Sequence, residues 1–190
     1  HGLEIFDISD ISNPRKISSV KFPKFYYIGN DFWTPRCSGN TVFAADTFNG
    51  LFAVDISDLK NPRIAGRITT PSAKEGAPSS PISSVAVADG AVYVSSLNYG
   101  VMAVECPNAR ASSGAKGVLP KNPSYRAQYS EDSEKFFVWK PDRSVQVRAV
   151  AVNGDVAYAA CGAEGIVVLK LSDSGFEKIG RIEMPFAGDV

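Results

Sequence analysis

GLEIFDISDISNPRKISSVKFP, residues 2–23, returns at residues 50–71 as GLFAVDISDLKNPRIAGRITTP. Ten aligned positions are identical, and the spacing between them is kept without a gap. The alternation of apolar and polar residues on either side of DISD has the period of a strand, and Asp, Asn and Pro between them supply turn chemistry. A strand, a turn and a strand written twice at this spacing is a structural repeat, and a repeat has to be read before any single residue is.

Working outward, the unit centres on a glycine that leads a strand, at Gly2-Leu3, Gly50-Leu51, Gly100-Val101 and Gly165-Ile166. In the last three, an aromatic stands seven residues upstream: Phe43, Tyr93 and Tyr158. TVFAADTFNG, AVYVSSLNYG and VAYAACGAEG each read as a strand followed by a short turn closed by Gly, which predicts antiparallel hairpins. A further strand precedes each aromatic. It is plain in ISSVAVADG (82–90) and VQVRAVAVNG (145–154), which end on hairpin-turn dipeptides, and bulkier in NDFWTPRCSGN (30–40), which contains Pro35. Downstream of the turn after the glycine strand, ISSVKFP, IAGRITTP and IGRIEMP read as strands stopped by proline. The unit therefore holds four short strands, A to D. A β-helix needs much shorter coils and a sandwich does not need to repeat. Radial repetition of four-stranded sheets covered on both faces is a propeller. The expected fold class is all-β, a partial β-propeller of four-stranded antiparallel blades, about 3.5 of them.

GLEIFDISDISNP, GLFAVDISDLKNP and the weaker GIVVLKLSDSG resemble the LVIVD repeat, over nearly the whole chain, with ECPN (105–108) the largest departure. The resemblance implies a β-propeller. It also implies a location that is extracellular, periplasmic or at the cell surface, in a family largely without assigned chemistry.

The units divide the chain into a half-blade (1–23), a blade (24–71), a blade with an insertion near 107–133 (72–141), a blade (142–185) and the start of another (186–190). Such a count leaves a ring open. The expectation is a piece of a longer propeller, with a second copy or a self-contained four-blade ring as the alternatives. The insertion, rich in Gly, Ser, Pro, Lys and Arg, reads as an exposed excursion, and PSAKEGAPSSP (71–81) as a connection between blades on the face of the B–C turns.

Lys plus Arg equals Asp plus Glu, 20 against 20. A balanced chain lacks the long-range field that gathers nucleic acid, and no apolar run approaches the roughly 20 residues that cross a bilayer. Cys37, Cys106 and Cys161 are far apart and odd in number, with no CxxC, so they read as free, half-buried thiols; one disulfide among them stays open. The only histidine is His1, which argues against Ser-His-Asp and zinc chemistry. No phosphate-binding glycine loop occurs. DISD at 7–10 and 55–58 begins like a calcium loop but lacks the rest of it, and Asp7 and Asp55 recur with the fold as turn-capping residues would. No cofactor or metal is expected.

Residues that do not repeat are the better functional candidates. Counting back from the aromatics, Thr34, Ser84 and Arg148 fall near the start of strand A, which lines a propeller's axis, with Trp33 and Arg36 beside them. The B–C turns add Asp46, Phe48, Asn98, Tyr99 and Glu164. The candidate axial site is therefore Trp33, Arg36, Asp46, Ser84, Tyr99, Arg148 and Glu164, suited to an anionic or carbohydrate-like ligand by charge-assisted bonds and stacking, or to a protein partner. The aromatics in repeat register are expected to pack between blades. Two functions follow: a noncatalytic binding or protein-interaction propeller of an exported or surface protein, and, as the alternative, a piece of a hydrolase or lyase using Arg36, Arg148 and Asp46 with groups from other blades. The scarcity of catalytic residues favours binding.

Overall fold

A computed structural model describes residues 2–22, 32–47, 50–68, 81–88, 91–97, 100–105, 136–141, 145–172 and 175–190. They form four antiparallel sheets. The first pairs β1 (Gly2–Asp7) with β2 (Arg15–Lys21). The second runs β3 (Phe32–Ser38), β4 (Thr41–Asp46), β5 (Gly50–Asp55) and β6 (Arg63–Ile68) in sequence order. The third is β7 (Ile82–Ala88), β8 (Ala91–Ser96), β9 (Gly100–Glu105) and β10 (Phe136–Trp139). The fourth is β11 (Ala149–Asn153), β12 (Val156–Ala160), β13 (Ile166–Ser172) and β14 (Gly175–Ile182). Half of the insertion's history is visible: FFVW rejoins the third sheet as its D strand, while residues 106–135 lie outside the described residues.

The repeat is exact in register. Phe43 stands opposite Ala53, Tyr93 opposite Ala103 and Tyr158 opposite Val168. Alternation then sends the two faces of each sheet to different neighbours. In β4, Val42 and Ala44 pack toward the first sheet with Phe52, Val54, Leu3, Val20 and Phe22, where the Phe22 and Phe52 rings stack at 4.5 Å. Phe43 and Ala45 pack the other way, against Ile82, Val85, Val92, Val94 and Met102 of the third sheet. Tyr93 and Ala91 repeat this toward Ala157, Ala159, Val167 and Leu169 of the fourth. The cores lie between sheets, and the A strands β3, β7 and β11 approach one another in succession. Sheets stacked face to face with their first strands converging are blades of a partial β-propeller, three complete and one half.

Local chemistry explains why the motif recurs. Asp55 accepts the Ser57 amide at 2.9 Å on Oδ1, while Arg63 donates Nε at 2.9 Å and Nη2 at 2.7 Å to Oδ2. Asp7 does the same with the Ser9 amide at 2.9 Å and Arg15 at 3.1 Å. Asp58 accepts the Lys60 amide and the Asn61 side chain at 2.9 and 2.8 Å. The DISD–NPR segment is thus a C–D turn whose carboxylates close the loop and clip it to the following strand. Gly100, at φ 88°, leads its C strand so close to β10 that a Cβ would run into the Trp139 carbonyl, and Gly165 at φ 77° meets the Ile182 carbonyl in the same way.

Candidate functional site

Several polar side chains lie at the B–C turn end of the fourth blade. Residues 145–148 enter β11, and the Arg148 amide donates to the Ala160 carbonyl at 2.9 Å. The turn after β12 carries Glu164, and β14 returns to the same end with Arg181 opposite Val167. Beyond it, Ala187 is held by two backbone bonds to Gly162, at 2.8 and 2.9 Å. Thr47 of the second blade occupies the repeat position of Gly162, and its carbonyl accepts the Ile82 amide at 3.0 Å. Ala187 is therefore seated on the fourth blade as the head of β7 is seated on the second, which fixes Phe186 beside the turn.

Two side-chain assemblies result. Arg181 bridges Glu164 at 3.1 Å and Glu183 at 2.5 Å, and these carboxylates, Glu183 foremost, hold its guanidinium more firmly protonated than an isolated arginine. Arg148 lies over the Phe186 ring, 5.2 Å from its centroid, and donates to Gln146 Oε1 at 3.3 Å. Both Arg148 and Phe186 are exposed, the latter by 58%, so the guanidinium and the ring face present themselves to solvent. A cation over an exposed aromatic ring can bind an acidic group while the uncovered part of the ring packs against an adjoining apolar or pyranose surface.

The residues singled out in the sequence distribute around this end as follows. Arg148 and Glu164 belong to it. Ser84 is buried in β7, opposite Ser95. Asp46 is fully buried at the end of β4, in register with Phe32 and Gly50. Arg36 is exposed in mid-strand opposite Phe43, with Nη1 3.3 Å from the Pro35 carbonyl. Trp33 pairs with Ala45 in β3. Phe48, Asn98 and Tyr99 lie outside the described residues, as does His1. Counting from the aromatics made Thr34, Ser84 and Arg148 equivalent, whereas register makes Trp33, Ser84 and Ala149 so, because they face Ala45, Ser95 and Ala160. A bulge at Thr34–Pro35 displaces the count in β3; in the fourth blade Arg148 stands ten residues before Tyr158, one more than separates Ser84 from Tyr93, and β11 pairs with β12 without a bulge that would absorb the extra residue. Arg148 is level with Ser83, whose hydroxyl bonds the Ser95 hydroxyl at 2.9 Å and donates to the Val147 carbonyl at 3.0 Å, tying the third A strand to the fourth.

Arg181, Glu183 and Phe186 were not anticipated. One signal was available: GRI recurs at 66–68 and 180–182, and Arg67 stands at the register position of Arg181, 6.0 Å from the Phe52 centroid.

The blades and their converging first strands define a propeller-type repeat protein. Residues 1–21 and 36–70 match the LVIVD repeat. No curated protein matches the chain. Among solved structures it is similar to the computationally designed Ika8 protein, at a TM-score of 0.53 and 9% identity, covering 83% of this chain and 38% of that one. It is likewise similar to a chain of a humanized mutant of the Chaetomium thermophilum Polycomb Repressive Complex 2, at 0.53 and 16%, covering 90% and 33%. The chain thus spans about a third of the length of each, and at these identities the likeness is one of fold.

Proposed function

We propose that this β-propeller is a noncatalytic binding module of an exported or cell-surface protein, and that it takes an acidic, carbohydrate-like ligand at the B–C turn end of its fourth blade. The observation that supports this reading is the exposed Arg148–Phe186 pair, in which Arg148 also donates to Gln146. Arg148 brings the charge and Phe186 the stacking surface. The repeated carboxylates Asp7 and Asp55 are committed to their turns and leave the ligand role to residues that occur once. The export half of the proposal draws on the LVIVD repeats.

An array of acidic and neutral oligosaccharides tests the ligand class. Arg148→Ala and Phe186→Ala should each weaken binding of the acidic probes by about tenfold, in line with loss of one charge-assisted or stacking contact. Ser172→Ala, at the opposite end of the blade, should leave it unchanged. Binding indifferent to both substitutions would refute the site. Turnover of an ester or glycoside probe that Asp46→Asn abolishes would replace binding by catalysis.

A further inference from the structure

The peptide unit that carries Arg148 is held from two blades at once. Residues 145–148 precede β11 and lie outside any strand. Val147 is fully buried in the core between the third and fourth sheets, while Gln146 and Arg148 on either side of it are exposed. The peptide bond between Val147 and Arg148 is planar and trans, so its carbonyl and its amide point in opposite directions. On one side the Arg148 amide donates to the Ala160 carbonyl at 2.9 Å, within the fourth blade. On the other, the Val147 carbonyl accepts the Ser83 hydroxyl of the third blade at 3.0 Å. Anchoring both ends of one rigid plane sets the direction in which the Arg148 side chain leaves the backbone.

Ser83 is equipped for this task. It is the unpaired residue of a bulge in β7, between Ile82 and Ser84, and a bulge re-aims a side chain away from the ladder. A hydroxyl has a single proton to donate, and that of Ser83 goes to Val147, so the 2.9 Å bond between the Ser83 and Ser95 hydroxyls is donated by Ser95. Ser95 is fully buried, and its bond polarises the next one in the chain. In the second and fourth blades Ala45 and Ala160 stand at its register position, since the three residues face Leu51, Val101 and Ile166. The blade repeat therefore does not require this hydroxyl chain. Among the three complete blades it belongs to the third, and it ends one residue from the exposed arginine.

We propose that Ser83 is a positioning residue of the ligand site: the chain from Ser95 through Ser83 to Val147 holds Arg148 over the Phe186 ring and within reach of Gln146 before any ligand arrives. This rests on the reading of Arg148 and Phe186 as the ligand-binding pair. An arginine whose backbone is already fixed makes its charge-assisted contact with less ordering cost than one on a loose segment, so a residue of the third blade sets the affinity of a site on the fourth.

Proton NMR of the unliganded chain and titration with trigalacturonate test it together. The Phe186 ring should displace the Arg148 δ-proton resonances upfield, and Phe186→Leu should return them to ordinary positions. Ser83→Ala should remove most of that displacement and weaken trigalacturonate binding by about fivefold, in line with loss of one hydrogen bond. Ser83→Thr keeps the hydroxyl and should restore both. Asp55→Ala, at the C–D turn of the second blade, should change neither, which separates positioning from a general loss of stability. Should Ser83→Ala fail to fold, Ser95→Ala removes only the outer link of the chain and decides on the same resonances. Arg148 resonances unmoved by loss of the hydroxyl, or moved equally by Asp55→Ala, would overturn the proposal even where Arg148→Ala abolishes binding. Resonances that respond as expected in a chain that binds no trigalacturonate would support the positioning role and refute the ligand reading instead.

Discussion

Replacing Asp55 by alanine should destabilise the second blade by about 2 kcal/mol. Asp55 accepts three bonds, one from the Ser57 amide and two from Arg63, while its own side chain is only 8% exposed. Bonds to a charged acceptor are each worth about 1.5–3 kcal/mol when the partners stay dry. Here they do not. Arg63 is 73% exposed and regains water on mutation, Ser57 is exposed as well, and removing the carboxylate relieves its own desolvation. The sum falls to about 2 kcal/mol, or a melting temperature lowered by roughly 4–8 °C for a chain of this size. Asp7→Ala is the matched control: its clip has the same partners but sits in solvent, so its loss should be smaller. The pH dependence has a sign. Burial pushes the Asp55 carboxyl up, but the Ser57 and Arg63 bonds outweigh it and hold it below the ordinary carboxylate range. A depressed folded value means the unfolded chain binds the proton more readily. The contribution is therefore complete above about pH 4 and is lost as pH falls through the lower folded value. Thermal melts of the parent, Asp55→Ala and Asp7→Ala proteins between pH 7 and pH 3 read both effects. An Asp55→Ala loss under about 0.5 kcal/mol, or one no larger than that of Asp7→Ala, would refute the clip argument.

Other substitutions probe the blades at equivalent positions. Tyr93→Ala should cost about 3–5 kcal/mol in chemical denaturation, because Tyr93 is 2% exposed between two blades, and Tyr158→Ala, on the half-buried outer face, should cost roughly half as much. Gly100→Ala should cost about 2 kcal/mol or more through its positive φ and the Trp139 carbonyl, whereas Gly39→Ala, at φ 54° with open space around it, should cost about 1 kcal/mol by the same melts. In a Cys106→Ser background, a maleimide should label exposed Cys37 in the folded protein and spare Cys161, whose thiol burial pushes up to about 11; equal labelling rates would contradict its placement.

How far the sequence could be read depended on what kind of information each feature carried. The C strands announced themselves, because a glycine forced against the next strand and an Asp–Arg clip are local requirements that any copy of the blade must restate. Gly100 and Asp55 are such residues. Strand A was harder. Pro35 cannot donate to a ladder, so β3 bulges at Thr34–Pro35, and a bulge shifts register by a residue without leaving any gap to count. Thr34 was consequently aligned with Ser84, whose true equivalent in β3 is Trp33. The Arg148–Phe186 contact was illegible for a different reason. Phe186 follows the proline that ends strand D, and only the backbone bonds between Ala187 and Gly162 bring it back to the turn. Long-range placement of that sort depends on the neighbouring blade rather than on any local pattern.

Phe43 and Tyr93, at equivalent positions of the repeat, pack between successive blades rather than within one sheet, while Tyr158 lies on the half-buried outer face of the fourth. Methyl–aromatic NOE spectra of the whole chain test it most directly. NOEs are expected from the Phe43 ring to the Val92 and Val94 methyls, and from the Tyr93 ring to Ala157 and to Phe176, whose centroid is 6.3 Å from that of Tyr93. Rings that reach only residues of their own sheet, or of a sheet that is not the next in sequence, would contradict it.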